Sequence, residues 1–78
     1  MALKELVETI AKALVDEPDQ VEVREIEGDH HCLVELKVAK GDIGKVIGKD
    51  GKTAQSMRML VAAASQKLGR RTHLDIID

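Results

Sequence analysis

The sequence predicts an α+β fold in which a three-stranded mixed sheet carries helices packed on one face, in the order helix, strand, strand, helix, helix, strand. Three observations carry that expectation. Apolar residues recur at helical spacing near both ends of the chain, they alternate with polar ones in three short stretches, and the last of those stretches is separated from its predecessor by both later helices. That separation demands a crossover connection, so the last strand joins the sheet by a route that a hairpin cannot supply.

Leu3, Leu6, Val7, Ile10, Ala11 and Leu14 define an amphipathic helix over 2–15, with Lys4, Glu5, Glu8 and Lys12 between them. Pro18 limits its extent, and Asp16-Glu17-Pro18-Asp19 reads as a polar connector without evident chemistry. Val21 and Val23 alternate with Glu22 and Arg24, while Ile26 falls out of phase and predicts a bulge or an early strand end. Gly28-Asp29-His30-His31 forms a turn, and Cys32, Val34, Leu36 and Val38 alternate with polar neighbours as the clearest strand. Asp42 is placed to cap a short helix through Val46, Gly48 to Gly51 interrupts it, and a longer helix runs from about Lys52 to Leu68 until Gly69 ends it. Thr72, Leu74 and Ile76 alternate with His73 and Asp75 as the last strand.

With 78 residues and neither a repeat nor a linker, residues 1–78 read as a single domain. A chain of this size buries about 60% of its unfolded surface, which suits a shallow binding surface better than an enclosed active site. There is no Phe, Trp or Tyr, so aliphatic residues, methionine and alanine must fill the core. One cysteine, Cys32, cannot form an internal disulfide; with no secretory pattern and no run of membrane-spanning length, a cytoplasmic protein is expected. The net charge of −2 hides an asymmetry: residues 1–36 hold three Lys/Arg against ten Asp/Glu, and residues 37–78 hold nine against four. A basic second half points to one working face.

The segment Asp42-Ile43-Gly44-Lys45-Val46-Ile47-Gly48-Lys49-Asp50-Gly51-Lys52-Thr53 gives that face its chemistry. Two glycines bracket a two-residue turn between helices, where glycine tolerates positive backbone angles and lets a phosphate approach. The amides of Asp50, Gly51 and Lys52 are expected at the start of the following helix, where unpaired N–H groups and the helix dipole favour an anion. Lys45, Lys49 and Lys52 add positive potential, and Ile43, Val46 and Ile47 offer an apolar wall for a base, a combination suited to single strands.

Val46-Ile47-Gly48-Lys49-Asp50-Gly51 resembles the VIGxxG signature of KH domains, and the element order resembles their type II arrangement across nearly the whole chain. A free-standing domain of this length is similar to the small bacterial KhpA family. The resemblance implies a cleft between the two central helices and the neighbouring strand, with the GxxG turn clamping the backbone of about four unpaired RNA nucleotides. It further implies a homodimer, pairing with a larger Jag-type KH protein, and a role as an RNA chaperone or post-transcriptional regulator affecting cell shape. The residues assigned to RNA are Ile43, Gly44, Lys45, Val46, Ile47, Gly48, Lys49, Asp50, Gly51, Lys52 and Thr53. Asp50 departs from the usual turn: its carboxylate opposes a phosphate, and its other role is to cap the next helix at roughly 0.5–2 kcal/mol. No Phe, Tyr or Trp stacks on a base, which lowers the expected affinity.

Other chemistries fit less well. Gly51-Lys52-Thr53 ends like a P-loop, but the glycine that pattern needs is Val46 here. His30, His31 and Cys32 are adjacent on a turn and supply only part of a metal shell; Cys32 reads as a small buried residue. We therefore expect no enzyme, no catalytic residue, no metal, no cofactor and no small-molecule substrate. On the long helix, Ala54, Met57, Val61, Ala64 and Leu68 are expected to face the sheet, while Met59, Leu60, Ala62 and Ala63 widen the apolar arc beyond what one sheet needs. That surplus predicts a homodimer interface around Met59, Leu60 and Ala63. The competing reading is a protein-interaction adaptor that keeps the shape without binding RNA, favoured by Asp50, the acidic first half and the missing aromatics.

Overall fold

The computed structural model describes residues 3–77. Its elements are α1 (Leu3–Leu14), β1 (Glu22–Glu27), β2 (His31–Lys37), α2 (Ile43–Ile47), α3 (Lys52–Lys67) and β3 (Arg71–Ile77). Short 3-10 turns occupy Pro18–Gln20, Lys40–Asp42 and Lys49–Gly51. The strand order is β1-β2-β3, with β1 antiparallel and β3 parallel to β2, so the sheet is mixed as the alternation and the crossover required. Of the first expected helix, Ala2 lies outside the described residues.

The core forms where three helical stripes meet one sheet face. Leu3, Val7 and Ala11 of α1 fall four residues apart, and with Val15 they bury against Val23, Cys32, Val34, Leu36 and Leu74. Val38 just after β2, Val46 from α2, and Met57 and Val61 from α3 complete the cluster. Leu14 is the one member of the predicted α1 stripe left exposed.

Three expectations need correction. First, β1 neither bulges nor ends at Ile26: its register with β2 is continuous from Glu22↔Lys37 to Glu27↔Cys32. Ile26 simply lies on the sheet face that carries no helix, opposite Leu33, and is exposed there. Second, the buried stripe of α3 runs Ala54, Met57, Val61 and then Ser65, while Leu68 is 53% exposed. The chain leaves the helix at Leu68 through a Schellman turn, with the Arg70 amide donating to the Ser65 carbonyl at 3.0 Å and Gly69 at φ 74°. Ser65 Oγ donates to the Arg70 carbonyl at 2.8 Å; its single hydrogen being spent there, Thr72 Oγ1 donates to Ser65 across 2.7 Å. Third, Asp42 makes no side-chain cap on α2 and has another role, described below.

Candidate nucleic-acid interface

The chain reverses between α2 and α3 in four residues, and three of them hold positive φ. Gly48 sits at φ 79°, ψ 173°, a region open to glycine alone, and Gly51 at φ 73°, ψ 12°. A methyl group at Gly48 would also overlap the Thr53 side chain and lie 2.9 Å from the Thr53 nitrogen. Two independent constraints thus require glycine at 48, one from the backbone and one from the half-buried Thr53 packed against it. At Gly51 the space is open, and the backbone angle alone makes the demand.

Asp50 occupies the left-handed region at φ 57°, ψ 25°. It does not cap α3, whose N-cap residue is Gly51 with no side-chain hydrogen bond. A short polar side chain tolerates this conformation better than most, and that accounts for an aspartate here without a capping role. The amides divide differently from expectation as well. Gly51 N–H donates to the Gly48 carbonyl at 3.1 Å and Lys52 N–H to the Lys49 carbonyl, so the turn itself consumes two of the three. The Asp50 amide has no backbone acceptor among the described residues.

The flanking side chains sort by exposure. Lys49 and Lys52 are exposed and belong to no ion pair among the described residues. Lys45 is tied back: its Nζ lies 3.2 Å from Asp16 Oδ2 and 3.6 Å from Asp42 Oδ1. The hydrogen bond and charge of Asp16, with Asp42 second, raise the Lys45 pKa above its ordinary value, so its positive charge is firmly held but locally balanced. Ile43 is half-buried and Ile47 is 38% exposed, so both present apolar surface beside the turn. Val46 is 0% exposed and belongs to the core, where it fixes α2 rather than presenting a wall.

Asp42 explains how α2 is held. Its carboxylate is buried; Oδ2 accepts the Glu17 amide at 3.0 Å and Oδ1 faces Lys45. The connector after α1, which by sequence carried no chemistry, therefore latches the helix that leads into the turn. An acidic pair before a proline gave no sign of this, because the contact spans 25 positions. Midway along α3, Arg58 Nε donates to the Leu74 carbonyl at 3.2 Å and fastens the helix to β3. Burial, with Glu25 adding to it, pushes the Cys32 thiol pKa up, which disfavours the reactive thiolate. No group of three or more His, Cys, Asp or Glu side chains among the described residues is placed to hold a metal ion.

Residues 4–76 match the family model described as KhpA/KhpB, KH domain. The chain belongs to the KhpA/KhpB KH-domain family. The "RNA-binding protein KhpA" of Caldanaerobacter subterraneus is 59% identical over 94% of this chain and 97% of its own length. The protein of the same name from Halalkalibacterium halodurans is 54% identical over 97% of this chain and its own full length, 100%. The fold also resembles that of Era: the crystal structure of Aquifex aeolicus Era bound to GDP.AlF4- superimposes with a TM-score of 0.63 at 23% identity over 95% of this chain. The chain spans 29% of that Era structure, and the likeness concerns fold alone. Within the KhpA/KhpB family frame, Gly48 to Gly51 is the GxxG turn and α2 and α3 are the helices that flank it. No helix among the described residues is long and apolar enough to cross a membrane.

Proposed function

We propose that this protein binds single-stranded RNA, with the Gly48-Lys49-Asp50-Gly51 turn seating a backbone phosphate and Ile43 and Ile47 lying against a base. The observation that carries the reading is the turn itself: Gly48 takes a conformation and a clearance that no other residue satisfies, at the head of α3, with Lys49 and Lys52 exposed beside it. A turn that only joined two helices would need neither the second glycine conformation nor two exposed lysines beside it. The relatives' printed name, RNA-binding protein, supports the same chemistry for this chain. The site is a shallow clamp for about four nucleotides, suited to an RNA chaperone or post-transcriptional regulator and not to catalysis.

The same reading includes assembly. Met59 is 67% and Leu60 54% exposed on one face of α3, and we propose that this face, with Ala63, pairs two copies and also suits a larger Jag-type KH partner. Two linked sites raise the apparent affinity of a weak clamp.

The decisive test is fluorescence anisotropy of a labelled, unstructured RNA titrated with the native protein and with Lys49→Asp. The substitution makes the turn doubly acidic and leaves both glycines in place. A loss of tenfold or more in affinity, with the circular dichroism spectrum unchanged, is the expected result. Equal binding by both proteins would move the site away from the turn, and binding by neither would favour the adaptor reading.

A further inference from the structure

The chain has no Phe, Tyr or Trp, so its three histidines are its only ring side chains able to stack on a nucleobase. The fold brings them to two adjoining depressions that share lining residues. An open depression of about 510 Å³ is lined by His30, His31, Gln66, Arg70 and Arg71 together with Gly69. A second, of about 400 Å³, shares Gln66, Arg70 and Arg71 and adds His73. Neither depression has an Asp or Glu among its lining residues, although a smaller one of about 200 Å³ that shares His30, His31, Gly69 and Arg70 is bordered by Glu27 and Asp29 on the β1 side.

The placement follows from the topology. His31 and Arg71 open the parallel strands β2 and β3 and are register partners, and His73 pairs with Leu33 one step along the same sheet face. Gln66 comes from the last turn of α3, whose carbonyls are occupied by the turn that follows: Ser65 by the Leu68 and Arg70 amides and Gln66 by the Gly69 amide. The turn that closes α3 therefore occupies the Ser65 and Gln66 carbonyls where the groove meets the helix end. Arg70 is already committed, at 2.8 Å from Glu27 and 3.8 Å from Glu25, and serves to hold the groove against β1. Arg71 is exposed and in no ion pair among the described residues, so its guanidinium is available to a phosphate or as a stacking plane.

We infer that this groove is a second single-stranded RNA contact, in which bases stack on exposed histidines and Arg71 pairs with a backbone phosphate. The inference rests on the RNA-binding reading of the GxxG turn and extends it. The 16 residues of α3 separate the two sites by roughly 24 Å at the rise of an α-helix, so one strand reaches both only when it is longer than the few nucleotides the turn holds. The groove thus gives the protein a preference for longer unpaired segments, which the GxxG clamp alone does not provide.

The experiment compares a 4-nucleotide and a 15-nucleotide unstructured RNA by anisotropy, using the native protein, Arg71→Glu and His31→Ala. Both substituted positions are exposed, and thermal melts establish that each variant folds. The expected outcome is that both variants bind the 15-mer at least fivefold more weakly, the low end of what removing one stacking surface costs, while the 4-mer is held as before. Unchanged binding of the 15-mer by both variants would overturn the inference, as would an equal loss on both RNAs, which would mark a general charge effect. Failure of the native protein to bind either RNA would remove the GxxG reading, and this inference with it; with Lys49→Asp run alongside, a 15-mer lost in that variant alone would leave the turn standing and remove the groove.

Discussion

At the scale of single residues, the turn is built on backbone conformation, and the two positions that look variable in sequence are not equivalent. Lys49 is an exposed cation with a negative φ, whereas Asp50 occupies the left-handed region. Its carboxylate gains no capping bond for the repulsion it imposes on a phosphate. Asp50→Asn keeps a side chain that tolerates this conformation and removes the charge. RNA affinity should rise by roughly threefold to tenfold at low salt, as the loss of one close like charge predicts, with a melting temperature within about 2 °C of the native protein. Gly48→Ala should act in the opposite way. The backbone strain alone costs about 1–3 kcal/mol, and the overlap with Thr53 adds to it. A domain of this size then melts roughly 4–8 °C lower for each kcal/mol lost, measured by circular dichroism. An unchanged melting temperature would mean that Thr53 and the turn relax freely, which would argue against a preorganised phosphate seat.

At the scale of elements, α3 divides its surface between three tasks: Ala54, Met57, Val61 and Ser65 face the sheet, Gln66 borders the histidine groove, and Met59 and Leu60 face outward. The sequence made the first task partly legible, because Ala54, Met57 and Val61 fall at helical spacing. It misled at the end of the stripe, where a leucine at 68 looked like core and a serine at 65 did not. What decided the matter was the hydrogen bonding of Ser65 to Arg70 and Thr72, a contact with a strand that comes later in the chain. The element order and the GxxG turn were readable for a related reason: both depend on local patterning and on glycine's backbone freedom. The latch from Asp42 to Glu17 and the histidine groove depend on long-range placement, and no local pattern encodes them. The outward face of α3 yields a test of its own. Leu60→Asp should convert a homodimer into a folded monomer by light scattering, with little loss of stability because Leu60 is already 54% exposed. A dimer mass that persists would place the interface elsewhere, and a chain that is monomeric before substitution would remove the homodimer.

At the scale of the whole molecule, the charge asymmetry of the sequence becomes a spatial one. The strand order β1-β2-β3 puts the acidic strand β1, with Glu22, Glu25 and Glu27, at one sheet edge and β3, opening with Arg71, at the other. Because α2, the GxxG turn and α3 all come from the basic half, a protein of net charge −2 presents cations where the RNA is proposed to lie. The overall negative charge works against non-specific adhesion to nucleic acid, so binding must come from a few local contacts rather than a broad field. That limits how strongly salt can act. Among the described residues Lys49 and Lys52 are the unpaired lysines flanking the turn, since Lys45 is balanced by Asp16 and Asp42. Two neutralised phosphates on a single strand correspond to a slope of about −1.4 in log affinity against log salt concentration. A short RNA that fills one GxxG site should show this value. A longer strand that reaches Arg71 should steepen it by about 0.7. A slope near zero on both would identify apolar contact with Ile43 and Ile47 as the source of affinity and would leave the phosphate seat without a role. A slope several times steeper on the short RNA would require more cations than one turn offers, and therefore a site assembled from two copies.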